Sequence, residues 1–338
     1  MPGLPRNHEA FARAALPAYG RAADSDLRLL GLSENATYLA DAGGDPVVLR
    51  VHRPGYHSLE AIRSELTWMK ALSQQTSVVT PELVSSTDGT DVVKAEIDGD
   101  VLYVDAVSFV PGCTAEEDPD AVGFDELGRI TAVMHRHFRA WTPPPGFTRF
   151  SWDLDAIFGA QARWGNWRLA PGLTDDDRGL IQRAADDISA RLTEFGCAPE
   201  RFGLIHADLR LANLMVDPDD SAAGITVIDF DDCGWSWFLA DLGAAVSFIE
   251  DTPTGERIIA DWLRGYSEVS SIPAEDLTFI PAFVMMRRIM LTAWIASHHD
   301  ADSALNVGAD FAPNTARLAH RYLTDDTWLH GSIFGSRV

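Results

Sequence analysis

The sequence predicts an α+β chain of two lobes, an N-terminal antiparallel sheet with a helix and then a mainly helical C-terminal lobe. Three observations carry that prediction. Short β-branched runs separated by Gly- and Asp-rich turns fill the first 110 residues. From residue 111 the apolar spacing turns helical, as in residues 125–140, where Leu127, Ile130, Met134 and Phe138 share a face. Within that second lobe, apolar runs at 214–216 and 225–228 flank the polar turn 217–224 and read as a hairpin. The lobes are therefore placed at residues 1–110 and 111–338.

In chain order, an amphipathic helix carrying Phe11, Ala15 and Leu16 leads into a strand at 27–30. Residues 31–41 hold a small polar turn with Ser33 and Asn35 and a returning strand, and residues 46–53 form the next strand after the Gly43-Gly44-Asp45 turn. Ser58 caps a helix to about residue 72, with Ile62, Leu66 and Met69 inward. Glu65 falls on the same face, and a carboxylate there needs a cation partner or an edge position that reaches water. Residues 80–85, 92–97 and 101–110 read as strands and bring the sheet to about five. In the second lobe, His135 and His137 on the 125–140 helix read as structural or surface groups, and Thr142–Gly146 as a stiff Pro-rich surface connection. Residues 152–169 contain a Trp-rich helical segment, and Thr174 starts a long helix ended by Gly196. Three or four helices follow the hairpin.

That hairpin is the chemical centre. Pairing its strands puts Asn213, at the start of the first, beside Asp229, at the end of the second, with Asp208 on the loop that enters it. Hard oxygen ligands beside a carboxylate suit Mg²⁺ with phosphates attached. The run His206-Ala-Asp208-Leu-Arg210-Leu-Ala-Asn213 resembles the catalytic loop of the protein-kinase-like fold, and Ile228-Asp229-Phe230-Asp231 resembles the metal-binding segment that follows it. The residue after His206 is not Arg, which resembles the aminoglycoside phosphotransferase/choline kinase family more than protein kinases.

The resemblance implies ATP and Mg²⁺ as cofactors and assigns roles by position. Asp208 would orient the acceptor hydroxyl and accept its proton, Asn213 and Asp229 would hold Mg²⁺, and His206 would order the loop. Arg50 stands where the family's third strand usually has Lys, with Glu65 as its partner. Ser33 and Asn35 would lie over the phosphates, and the carbonyl of Ser108 and the N–H of Val110 would meet adenine. Arg210, where a His is common, would neutralise the transferring phosphate or pair with a carboxylate. Asp231 would join the metal site or the acceptor pocket, and Asp241 reads as a helix-start cap that supports the catalytic loop.

The acceptor is written less clearly. Trp152, Trp164, Trp167, Trp235 and Trp237 suit a pocket or a core, and Asp153, Asp155 and Asp231 suit an amine. With a net charge of −23 this leans toward an aminoglycoside, an amino sugar, a hydroxy amino acid or a choline-like alcohol. The same charge argues against binding nucleic acid or an anionic membrane through a basic surface. Cys113, Cys197 and Cys233 form neither a disulfide framework nor a zinc site and fit a reducing cytoplasm. Residues 283–296, broken by Arg287 and Arg288, are too short to span a bilayer. The other readings are a bacterial Ser/Thr protein kinase of the same fold, a haloacid-dehalogenase-type phosphatase built on Asp229-Phe-Asp231, and a non-catalytic nucleotide-binding protein on a degenerate kinase fold. The sequence does not speak to oligomeric state.

Overall fold

The computed structural model describes residues 4–33, 35–41, 45–118, 120–219, 224–298 and 308–335. The Gly43-Gly44 turn and the hairpin tip at 220–223 lie outside the described residues. The chain divides into two compact units, the first comprising residues 1–113, 142–149 and 215–231 and the second the remainder. The first lobe is thus completed by the Pro-rich connection and by most of the hairpin, both assigned to the second lobe from the sequence.

The first unit is built on five antiparallel strands, β1 (Asp26–Leu32), β2 (Asn35–Asp41), β3 (Val47–His52), β4 (Val92–Ile97) and β5 (Asp100–Ser108), in the order β1-β2-β3-β5-β4. Helix α1 (His8–Ala15) buries Phe11, Ala12 and Ala15 against Tyr38, Leu49 and Val104 of the sheet. Burying a side chain such as Phe11 stabilises the unit by roughly 1.5–3 kcal/mol. Helix α2 (Leu59–Gln75) starts where the Ser58 side chain accepts from Ala61 N, and its inward face carries Ile62, Glu65, Leu66 and Met69. Residues 80–85, expected as a strand, touch the sheet through an isolated Leu83–Val107 bridge. Two backbone hydrogen bonds flank that bridge, Ser108 N to Glu82 O at 2.8 Å and Val84 N to Ala106 O at 2.9 Å. The pairing stops short of Pro81, which has no N–H to offer. Short strands β8 (Leu214–Val216) and β9 (Thr226–Val227) form the hairpin, and Val227 N donates to Val79 O at 2.9 Å. Gly112 has φ +105°, and a Cβ there would meet Val216 O at 2.0 Å, so no other residue fits this point of the chain.

The second unit is mainly helical. Its principal helices are α3 (Phe124–Ala140), α4 (Leu154–Phe158), α5 (Asp175–Phe195), α6 (Ala240–Ala245), α7 (Pro253–Val269), α8 (Ala274–Leu277), α9 (Ile280–Ser297) and α10 (Phe311–Thr324). The ladder of β7 (Phe202–Ile205) and β10 (Gly234–Trp237) is antiparallel. Helices α3 and α7 cross tightly because Gly265 lies against Asp125 O and Gly128 against Trp262 O, where a Cβ would clash at 1.7 and 2.1 Å. At 18 residues, α9 is longer than the apolar run read from the sequence and matches a membrane-spanning helix in length and composition, yet most of it is buried inside the protein. Phe283, Val284 and Met285 are fully buried on it. The Trp-rich segment is less helical than expected, consisting of α4 and a single 3-10 turn at Trp167–Leu169.

Candidate active site

In the first unit the groups expected to handle the nucleotide form a buried ionic network. Arg50 on β3 donates through Nη1 to Glu65 Oε1 at 2.6 Å, the pairing expected from the sequence. The structure adds Asp105, directly across from Arg50 on β5, which takes Nε and Nη2 at 2.9 Å each. His52, two residues along the same strand face, reaches Asp105 Oδ2 at 2.5 Å. Burial pulls the Asp105 pKa up, but Arg50 and His52 outweigh it and hold the carboxyl below its ordinary range. A second guanidinium, Arg149 from the Pro-rich connection, donates to Ala61 O and to Glu65 Oε2.

Asp231 lies in this network. Its side chain faces His57 Nε2 at 3.5 Å, and its carbonyl accepts from Arg149. Burial leaves the His57 pKa lowered despite the nearby Asp231 carboxylate. His57, Glu65 and Asp231 bring ligand-type atoms within 4.8 Å of one another. With two arginines on Glu65, that trio does not suit a divalent cation.

Ser33 and Asn35, expected over the phosphates, lie at the β1–β2 turn, where Ser33 N donates to Asn35 O and Asn35 is buried as the first residue of β2. Ser108 ends β5, its N–H donating to Glu82 O, and Val110 follows on the extended run to Gly112. Asp229 has φ +62°, a left-handed conformation uncommon outside glycine, and Phe230 beside it packs edge-on against Trp68 of α2 at 5.6 Å.

The second unit holds Asp208. Its carboxylate accepts from Asn213 Nδ2 at Oδ2, 2.9 Å, and from Arg287 Nη2 at Oδ1. Asn213 also donates to Asp208 O at 2.8 Å, so both Nδ2 hydrogens serve Asp208 and Oδ1 is the hard oxygen left to a cation. Arg210 Nε stands 3.5 Å from Asp208 Oδ2, and its Nη1 reaches Glu116 at 3.3 Å. Burial raises the Asp208 pKa, whereas Arg287, Arg210 and His206 lower it further, so the carboxylate stays ionised well into acid.

The backbone that presents Asp208 is pinned from beneath. Ala207 has φ +68°, held by Asp241, whose Oδ1 accepts Ala207 N at 2.8 Å and whose Oδ2 accepts His206 N at 3.3 Å. Asp241 is not the cap expected from the sequence: it sits in the first turn of α6, whose N-cap is Leu239. Behind it, His135 Nε2 reaches Asp241 at 2.9 Å while Nδ1 reaches Tyr266 OH at 3.1 Å. Burial lowers the His135 pKa, so the ring is neutral, with its proton on Nε2 and Nδ1 accepting from the tyrosine. His206 is fully buried, and its Nδ1 accepts Asp208 N at 3.3 Å.

Of the residues expected near the acceptor, Asp153 is the exposed N-cap of α4, accepting Ala156 N at 2.9 Å. Trp235 packs edge-on against Phe138 at 5.3 Å, whereas Trp237 is buried and donates to Gly196 O. A small pocket, of about the size of one water molecule, lies beside the Asp208 loop, lined by residues that include Trp152, Ile157, Ala207, Ser236, Met286 and Arg287. Asp105, Arg149 and Arg287 belong to these sites but were missed from the sequence, whereas His135, read there as structural or surface, is a buried support of Asp241. The visible signal for Arg287 was two consecutive arginines inside an apolar helix, which need buried partners.

Comparison with known proteins identifies the family and the fold. Residues 26–277 match the model of the phosphotransferase enzyme family. Amicoumacin kinase of Bacillus subtilis (strain 168) is 25% identical over 298 residues, 84% of each chain. The solved structure of a microcompartment-associated aminopropanol kinase is 41% identical, superposes with a TM-score of 0.86, and is matched over 94% of this chain and 98% of that one. The structure of amicoumacin kinase hAmiN in complex with AMP-PNP, Ca²⁺ and Ami is 22% identical with a TM-score of 0.73, covering 94% of this chain and 93% of that one, a likeness of fold. The chain belongs to the phosphotransferase enzyme family, and the phosphatase reading of Asp229 falls with that membership.

Proposed function

We propose that this small-molecule kinase transfers the γ-phosphate of ATP to a hydroxyl of a small amine-bearing alcohol, with amino alcohols of aminopropanol size as the first class to test. The observation that carries the reading is the Asp208 carboxylate. It is ionised, held by Asn213 and Arg287, and presented on a left-handed turn that Asp241 pins. A group held that way suits orienting an acceptor hydroxyl and taking its proton as phosphate arrives. The 41% identity to an aminopropanol kinase and the net charge of −23 favour a cationic acceptor.

Asn213 through Oδ1 and Asp229 through its carboxylate are the residues we assign to a divalent cation. That cation, when bound, would neutralise the ATP phosphates. Arg50 uses three of its five N–H groups on Asp105 and Glu65 and keeps two for phosphate oxygens. Arg210, tethered to Glu116, would swing charge toward the transferring phosphate, and His206 orders the loop. Ser33, Asn35, Ser108 and Val110 keep their assignment to the nucleotide by family position, whereas Asp231 serves the network around Arg149.

The test is ADP release from Mg·ATP across amino alcohols, amino sugars, hydroxy amino acids and aminoglycosides, with Asp208→Asn as control. An amino-alcohol-dependent rate that falls about 10²–10⁴-fold in the variant supports the reading. A variant that keeps the wild-type rate removes Asp208 from the chemistry.

A further inference from the structure

Arg287 and Arg288 are both buried in α9 with three guanidinium attachments each, but of the two only Arg287 grips the Asp208 loop. Arg287 lies near the middle of α9, only 3% exposed, and its guanidinium makes three separate attachments. Nε donates to Ser247 Oγ at 2.9 Å, Nη1 to Ala207 O at 3.1 Å, and Nη2 to Asp208 Oδ1. The face of Trp164 lies 4.9 Å from its central carbon. The same side chain lines the small pocket with Trp152, Ile157, Ser236, Met286 and Met290. One residue therefore touches the carbonyl before Asp208, the Asp208 carboxylate and the wall of the pocket.

Without Arg287, the described contacts to the Asp208 carboxylate are Asn213 and the looser, partly exposed Arg210, both on the same short loop as Asp208. They move with it, so neither fixes it against the rest of the unit. Arg287 comes from a helix 79 residues away and supplies that fixed reference. Its neighbour Arg288 reinforces the frame by binding Glu250 at 3.0 Å and Thr315 at 2.8 Å, so the turn bearing Ser247 is held to α9 at two points.

We infer that Arg287 is the positioning residue for Asp208, gripping its carboxylate and the preceding carbonyl from the helix that walls the pocket, so that the free lone pairs of Asp208 face the acceptor hydroxyl. This rests on the reading of Asp208 as the group that meets the acceptor. Arg287 itself touches neither the hydroxyl nor the phosphate. Its loss should lower kcat without weakening Mg·ATP.

The experiment compares Arg287→Met, Arg287→Lys, Arg287→Ala and Asp208→Asn in the full chain, each checked for a cooperative thermal transition. Steady-state kinetics are measured with the best amino alcohol from the panel. Arg287→Met is expected to lower kcat about 100-fold, the scale of a small misplacement of a catalytic group, with KM for Mg·ATP within twofold. Lys keeps the charge and has three N–H donors, but presents them from one atom and cannot span acceptors reached by three separate guanidinium nitrogens, so a loss smaller than that of Met is expected. Guanidinium chloride at millimolar concentration should restore part of the rate of Arg287→Ala. Wild-type kcat in Arg287→Met, with Asp208→Asn inactive, overturns the inference and leaves the transfer reading standing. Wild-type rates in both variants mean that the Asp208 reading is itself at fault. A crystal structure of Arg287→Lys adds a readout free of any acceptor: an Asp208 carboxylate turned from its present rotamer supports the inference, and one left unmoved overturns it.

Discussion

The two ionic clusters of this protein use the same side chains in opposite proportion. In the first unit, one guanidinium, Arg50, is shared by two fully buried carboxylates, Asp105 and Glu65, and Arg149 braces Glu65 from its other oxygen. In the second, one carboxylate, Asp208, is gripped by Arg287 and approached by Arg210, and it keeps 19% of its side chain exposed. The first arrangement is closed: its carboxylates are fully buried and engaged. The second leaves an ionised oxygen within reach of solvent. The first cluster holds a strand, a helix and a connection in place and leaves two N–H groups of Arg50 unused by its carboxylates, whereas the second leaves a carboxylate oxygen to meet a substrate. The same residue types make a frame in one place and a reactive group in the other.

Several substitutions would break or sharpen that contrast. The largest effect on stability is expected from Glu65→Leu, which takes the carboxylate from buried Arg149 and leaves Arg50 with Asp105 alone. It should cost about 3–5 kcal/mol, read by denaturant unfolding. A loss under about 1 kcal/mol would mean that the cluster is not a closed frame. Arg50→Lys should cost less, about 1–3 kcal/mol, because it removes the two-pronged grip on Asp105 but keeps a cation beside Glu65. It should also raise KM for ATP while leaving KM for the acceptor unchanged. A variant with wild-type ATP kinetics would confine Arg50 to the frame.

The histidines give a pH signature. Burial lowers the pKa of His135, His57 and His137, so each is neutral in the fold. As pH falls below about 6.5 the unfolded chain takes up protons that the folded chain refuses, and stability declines. Melting scans in this range should show that decline, and His135→Gln should make it shallower. The carboxylates held low by cations, Asp105 and Asp208, add their losses only further into acid, below their ordinary range near 4. An unchanged pH slope in His135→Gln would mean that this ring is charged in the fold. The smallest effect is expected at Asp153. Its replacement by Ala removes an exposed helix cap, costs at most about 1 kcal/mol, and should leave kcat and KM for the acceptor unaltered. A rise in acceptor KM there would place Asp153 at the acceptor.

The parts of the site that were readable from the sequence are local. Asp208 and Asn213 lie five residues apart on one loop, and the hydrogen bond between them follows from that spacing. The Arg50–Glu65 pair spans one strand and the next helix, 15 residues; a carboxylate on an apolar face called for a cation, and the family resemblance named Arg50. The missed pairings come from farther away. Asp105 reaches Arg50 across 55 residues, Asp241 reaches His135 across 106, and Arg149 reaches Glu65 across 84. Nothing in the immediate neighbourhood of an Asp or Arg distinguishes a partner at that range from a solvated surface charge. Asp241 was read as a helix cap for that reason, while its support of the catalytic loop came from the family resemblance.

The sequence alone determined the five strands, the helical second half, the hairpin and the identity of the loop residues Asp208, Asn213 and Asp229. Each follows from the period of apolar residues, from turn chemistry, or from spacing within about thirty residues. Tertiary structure decided which cations neutralise which carboxylates, which tryptophans pack into the core, and which helix holds Asp208. Those outcomes depend on desolvation and on pairing between distant segments, and both exist only once the units have closed around them.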